Sequence, residues 1–264
     1  MKKLHSSLAI QSFLFQIEPM KILILGLLLS TSAFAIPDNN WIMRQVWSEL
    51  SFTHYEVDEN ERQKLVPREL KIDKYQGRAF VGIVTLEMTK GNLNGIPLSL
   101  YNPFPQVNVR TYVTCNGNRG IYFLNIDADH FLGPAVAKTI FALPYHKADI
   151  QWKKNKDEIY VLSEAKDRRF EISYRPLKET IPNEETRLEI WLTDIYRSYQ
   201  LDRNKKVQES KLWHSPFVVQ EVDAKLLNDE AFQVLGLNSI EGPSFHYVKK
   251  TETFFWKNKE VKCN

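Results

Sequence analysis

From Arg44 onward the apolar positions fall in short runs rich in aromatic and β-branched residues, the pattern of strands rather than helices. "RQVWSELSFTHYEV" (44–57) and "RAFVGIVTLEMT" (78–89) are the first two such runs. Three hairpins follow. "QVNVRTYVTC" and "RGIYFLNIDA" flank the turn at Asn116-Gly117, "IYVLSEA" (159–165) and "RFEISYRP" (169–176) flank "KDR", and 197–214 turns at Asn204. Alternation assigns faces within these runs. Val107, Val109, Thr111 and Val113 share one face, and Asn108, Arg110 and Tyr112 the other. "FLNIDA" is expected to put Phe123, Asn125 and Asp127 together. In "LPYHKADI", Tyr145, Lys147 and Asp149 oppose Pro144, His146, Ala148 and Ile150.

Helical spacing is rarer. It predicts helices over 57–67, 129–143 and 222–237. Asp58 is the N-cap candidate of the first, with Glu61 three residues on. Leu226, Leu227, Phe232, Val234 and Leu235 are the apolar positions of the third. Hairpins with isolated helices predict an α+β fold, mostly antiparallel β and barrel-like, with residues 36–264 as one domain. Strict βαβ alternation, GxGxxG, GxxxxGK[ST] and GxSxG are all absent, so dinucleotide-binding, P-loop and nucleophile-elbow chemistry have no support.

Composition changes this picture little. The chain has 264 residues and a net charge of +3, with both signs dispersed. No dense basic block is present, so nucleic acid is not an expected partner. "MKILILGLLLSTSAFA" (20–35) has a lysine, an apolar run and a small-residue end. That is the signal-peptide pattern, with cleavage expected after Ala35 and Met20 a candidate start. The protein is therefore expected to be exported, periplasmic or secreted, with no stable membrane span in the mature chain. The alternative is an uncleaved extension on a cytoplasmic protein. A single disulfide between Cys115 and Cys263 is conceivable after export. A near-terminal cysteine, however, has few neighbours to hold it in bonding geometry, so the expectation leans against the pair. CxxC, CxxH and HExxH are absent, and the histidines at 54, 130, 146, 214 and 246 have no metal-ligand spacing. No metal or cofactor is implied. The oligomeric state is left undecided.

"MRQVWSELSFTHYEV", "LVPRELKIDKYQGRAFVGIVTLEM", "FPQVNVRTYV", "GIYFLNIDA", "LPYHKADI" and "WLTDIYRSYQLDRNKKVQESKLWHSPFVVQ" occur in this order. Together they closely resemble the YqjF-like family, a domain of unknown function in the acetoacetate decarboxylase-like superfamily, from about Trp41 to Trp256. The resemblance implies a mostly antiparallel cone or partial β-barrel around an internal pocket, and brings no established reaction. In the decarboxylase branch an imine-forming lysine follows a proline, and a second lysine follows directly. Against that pattern Pro144 matches the proline, Tyr145 stands at the nucleophile and His146 at its partner. Lys147 comes two positions late, on the same strand face but roughly 6–7 Å along. Asp149, on that face, would favour its charged form, the wrong direction for an amine nucleophile.

The decarboxylase branch also has an acid near the strand where this chain has Arg110. A guanidinium in a barrel interior requires an anion. Asp127, Asp194 and a ligand carboxylate are the candidates, an Arg–Asp pair bracing two strands being the plainest, and simple surface exposure of Arg110 is the remaining alternative. Asp127 or Asp129 could instead cap the helix expected at 129–143. Asp194, Tyr196 and Arg197 read as a turn with cross-strand packing. The leading expectation is a pocket for a small organic acid, anchored by Arg110, Tyr112, Tyr145, Asn108 and Asp127, with the imine lysine lost. One alternative is a decarboxylase or lyase of β-keto acids using Lys147, or Tyr145 and His146. The other is a structural or partner-binding envelope protein with a filled interior.

Overall fold

The first long run forms β1 (Met43–Val57), and its N-cap signal holds. The Asp58 carboxylate accepts from the amides of Asn60 (2.8 Å) and Glu61 (3.3 Å) and starts helix α1 (Glu59–Gln63), shorter than the 57–67 expected. A computed structural model describes Ile36 and residues 38–98, 103–129, 142–184 and 187–263. The signal-like segment lies outside these residues, as does 130–141 of the helix expected at 129–143.

After α1 come β2 (Lys71–Ile72), β3 (Ala79–Leu93) and β4 (Ile96–Pro97), then the expected hairpin of β5 (Phe104–Cys115) and β6 (Asn118–Ala128). Next are β7 (Tyr145–Lys147), β8 (Asp149–Asn155), β9 (Glu158–Glu164) and β10 (Arg169–Thr180). Helix α2 (Leu188–Thr193) precedes the third hairpin, β11 (Arg197–Leu201) and β12 (Val207–His214). The chain closes with β13 (Val219–Asn228), α3 (Glu230–Gln233), β14 (Ser244–Phe255) and β15 (Lys259–Glu260).

The helix expected at 222–237 is corrected: most of its length is β13, and α3 is one turn. Val222, Ala224 and Leu226 alternate with exposed polar residues and pack on the core, a period of two that the Leu226-Leu227 pair obscures. Leu227 is left exposed. Phe232 then stacks on Tyr55 with ring centroids 4.1 Å apart.

All fifteen strands among the described residues join one sheet. The path β12-β11-β6-β5-β3-β1-β14 bends into a partial ring, because the end of β14 also pairs with β12 (Leu212↔Phe255 to His214↔Thr253). Pairing is antiparallel except for β6 with β7 and with β11. From the other half of β14 an arm, β13-β10-β9-β8, leaves the ring and covers its outer face. Val107, Val109, Val81 and Ile83 of the ring meet Val161, Phe170 and Ile172 of the arm in the largest apolar cluster. Residues Asp38–Asn264 belong to this one unit.

The cysteine expectation is corrected as well. Cys115 and Cys263 form a disulfide. The tail reaches Cys115 because Val261 N–H donates to the Val207 carbonyl (2.9 Å) and β15 pairs with β12. Val261 and Cys263 pack on Val66, Leu70 and Val113, so the chain end does have neighbours.

Candidate functional site

The ring's inner face encloses the site, with about 870 Å³ free of protein atoms, its mouth included. Strand β5 contributes Asn108 and Arg110, on one face as expected, and extends that face at i−2 with Gln106. Two strands keep lining the pocket only because they are bulged. In β1, Gln45 and Trp47 face it before residue 49, and Leu50 and Phe52 after. The parity switches because register slips between Ser48 and Ser51, where Glu49 is left-handed at φ 54°. Tyr247 Oη and Lys154 Nζ donate to the Glu49 carboxylate (2.5 Å each), and Tyr174 Oη donates to its carbonyl (2.7 Å). In β6, Ile121 and Phe123 line the pocket, then Ile126, with the slip at Leu124.

That second bulge corrects one expected site residue. Asn125 and Asp127 do not join Phe123; they face the arm. Asp127 is buried and ion-paired to Arg168 of the β9–β10 turn (2.5 Å), which also donates to Asn125 Oδ1 (2.8 Å). The strand-bracing Arg–Asp pair exists, but its arginine is Arg168 rather than Arg110. Asp127 is therefore not among the described lining residues, and the helix it was expected to cap lies outside the described residues. Asp194, another candidate partner, accepts from Tyr196 Oη (2.6 Å).

Arg110 is left without a carboxylate within ion-pair distance among the described residues. Its guanidinium carbon sits 5.4 Å from the Phe52 ring centroid and 5.9 Å from that of Tyr112. Nη2 donates to the Leu192 carbonyl (3.4 Å), and the buried Nε has no partner among the described residues. Asn108 is buried two residues away, and its Oδ1 also lacks a partner there.

Tyr112 stands behind this wall rather than in the lining. Its hydroxyl donates to the Leu192 carbonyl (2.8 Å) and lies 2.7 Å from His54 Nε2. Gly82 makes room for His54: a Cβ there would lie 2.9 Å from His54 Cδ2. Burial, with His246 and Arg110 nearby, holds His54 well below the ordinary imidazole range. His214 does line the pocket. Its ring is sandwiched by Tyr196 and Phe217, and Nδ1 and Nε2 face the carbonyls of Ser215 (2.8 Å) and Ile195 (3.2 Å). Burial lowers its pKa, against the raising effect of those carbonyls.

Of the β7 candidates, Tyr145 lines the pocket. Its hydroxyl is 3.5 Å from Gln106 Oε1, and burial pushes its pKa up to about 12. His146 and Lys147 are exposed and are not among the lining residues. No lysine, aspartate or glutamate is among the lining residues described. His54, His214 and Gln106 escaped the sequence reading because each stands alone in an ordinary strand. Regular alternation of β1 from Phe52 was a usable signal for His54 only. No group of metal ligands occurs among the described residues.

A bulged partial ring, a covering arm and an enclosed pocket define the acetoacetate decarboxylase-like fold, and solved structures agree. The enduracididine biosynthesis enzyme MppR, with HEPES buffer bound, superposes with a TM-score of 0.61 at 13% identity, over 88% of this chain and 91% of that one. An acetoacetate decarboxylase-like enzyme from Sphingomonas wittichii RW1 gives 0.60 at 10% identity, over 88% and 98%. Acetoacetate decarboxylase from Legionella pneumophila gives 0.58 at 14% identity, over 87% and 94%. Within that fold the chain belongs to the DUF2071 family, described as an uncharacterized conserved protein, whose model matches residues 44–252. The uncharacterized protein YqjF of Bacillus subtilis (strain 168) is 37% identical over 227 residues, covering 84% of this chain and 93% of the relative.

Proposed function

We propose that this protein binds a small organic anion in the ring pocket and does not form an imine with it. The carrying observation is Arg110: a partly buried guanidinium at the pocket wall, with no carboxylate partner among the described residues and a buried Nε left over. A buried cation without a counter-charge is costly, and a ligand carboxylate in the pocket would offset that cost. Asn108 and Tyr145 add neutral hydrogen-bonding groups beside it. One solved structure of MppR is a complex with pyruvate, so a protein of this fold does bind a small carboxylate, which supports the reading.

The imine-based enzyme reading is disfavoured by the exposure of Lys147 and by the lack of a lysine among the described lining residues. Borohydride trapping with acetoacetate, followed by mass spectrometry, tests it: an adduct on Lys147 would overturn the non-imine reading. Native mass spectrometry of freshly purified protein tests for an occupant, and acetate or pyruvate titrated into wild type and Arg110→Gln tests the anchor. Equal affinity in the two proteins would remove Arg110 from the site.

We also propose export. The Cys115–Cys263 disulfide supports an oxidising compartment, and the 20–35 segment supports a route to it. N-terminal sequencing of the mature protein should begin after Ala35, and an intact residue 1 would refute it. Among the described residues no helix is long and apolar enough to cross a membrane.

A further inference from the structure

We infer that the pocket's ligand is an amphipathic monocarboxylate, an acid whose body is mainly hydrocarbon; this rests on the anion-binding reading above. Three features of the lining carry it.

The first is charge. Arg110 is the one arginine or lysine among the described lining residues, and acids are absent. His214 is the other titratable side chain in the lining with an N–H to offer, but both its ring nitrogens already face backbone carbonyls, so it offers no free N–H to a second carboxylate. A dicarboxylate would bury its second charge unpaired, and an amino acid would bury an ammonium with no acid to meet it.

The second is surface. Beyond Arg110 most of the wall is apolar, with Trp47, Leu50, Phe52, Phe123 and Phe217 prominent, and the polar side chains set among them, such as Thr193, Ser198 and Ser210, are uncharged. A two- or three-carbon acid bound at Arg110 would leave most of this surface against water, whereas a hydrocarbon body covers it.

The third is direction. From Arg110 the pocket follows one face of β5 through Asn108 to Gln106, about 13 Å at the strand repeat. The amides of Asn108 and Gln106 are neutral, and the Asn108 Oδ1 without a partner suits a hydroxyl or another uncharged donor on the body, not a second acid.

The test is a calorimetric titration of the full-length protein with butyrate, hexanoate and octanoate, alongside pyruvate, suberate and octanol. Affinity should rise about fourfold per added methylene, the change that burial of one CH₂ corresponds to. Octanoate should exceed suberate and octanol by about tenfold or more, since suberate buries an unpaired charge and octanol forgoes the guanidinium. Arg110→Gln should abolish most of octanoate's advantage over octanol.

A flat chain-length series, or suberate or pyruvate binding as tightly as octanoate, would overturn the hydrocarbon inference while leaving an Arg110-anchored anion site. Octanol binding as tightly as octanoate to the wild-type protein would overturn the anion reading itself, and that comparison needs no variant. Absence of binding by every acid in the series would overturn both.

Discussion

Cys263→Ser should lower stability by more than any single hydrogen bond in the molecule contributes. The disulfide joins residues 148 apart in sequence and so constrains more than half of the unfolded chain. In the chain-entropy description a loop of that size loses about 17 cal/mol/K on closure, or about 5 kcal/mol at 25 °C. Cys263 is the better position to change because it is only half-buried at the chain end, whereas Cys115 is 4% exposed in an apolar cluster. Serine at 263 therefore removes the cross-link with little packing. Urea unfolding followed by tryptophan fluorescence should show the midpoint falling by about 2 M for a slope of 2–3 kcal/mol/M, and the slope itself rising as the freed chain expands. Dithiothreitol should lower the wild type to the variant's curve and leave the variant unmoved. A loss below about 1 kcal/mol, or two free thiols titrated in unfolded, unreduced wild type, would refute the account.

Arg168→Met alone should cost about 3–5 kcal/mol by stranding the buried Asp127 carboxylate, and adding Asp127→Leu should recover most of it; additive losses in urea melts would show that the pair is not coupled. Acid should destabilise the fold early. His246 is held at about 4 by burial, and His54 and His214 are lowered in the same direction. Unfolding lets each bind a proton below its ordinary pKa near 6.5, so their contribution is intact above that pH. It is lost as pH falls towards 4, by about 3 kcal/mol for His246 alone, and His246→Asn should flatten the decline in Tm over that window. Gly82→Ala should cost about 1–3 kcal/mol by pushing His54 off Tyr112, and an unchanged Tm would mean that the imidazole moves aside freely.

Much of the framework was legible because hairpins are local. Asn116-Gly117, the turn after Ala165 and the bend at Asn204 each announce two strands that pair next to one another, as the structure finds. The Asn108–Arg110 face followed from strict alternation along β5, which stays regular because the extra residue of the bulge opposite Val109 and Arg110 belongs to β6. Where alternation was interrupted, the reading failed. The slip at Leu124 turned Asp127 away from the pocket, and the Leu226-Leu227 pair disguised β13 as a helix. A bulge is a single extra residue with no composition of its own, and Glu49 holds one with a side chain that gives no local signal.

By itself the sequence determined the class of fold, the strands that are neighbours in the chain, and the presence of one arginine on an otherwise neutral strand face. It could do so because side-chain periodicity and turn chemistry act over a few residues. Only the tertiary structure decided which acid met which arginine, that the chain end and its cysteine reach back across 148 residues, and that Lys147 is exposed and not among the described lining residues. Those outcomes depend on register slips and on closure between strands far apart in sequence, and neither leaves a periodic trace in the chain.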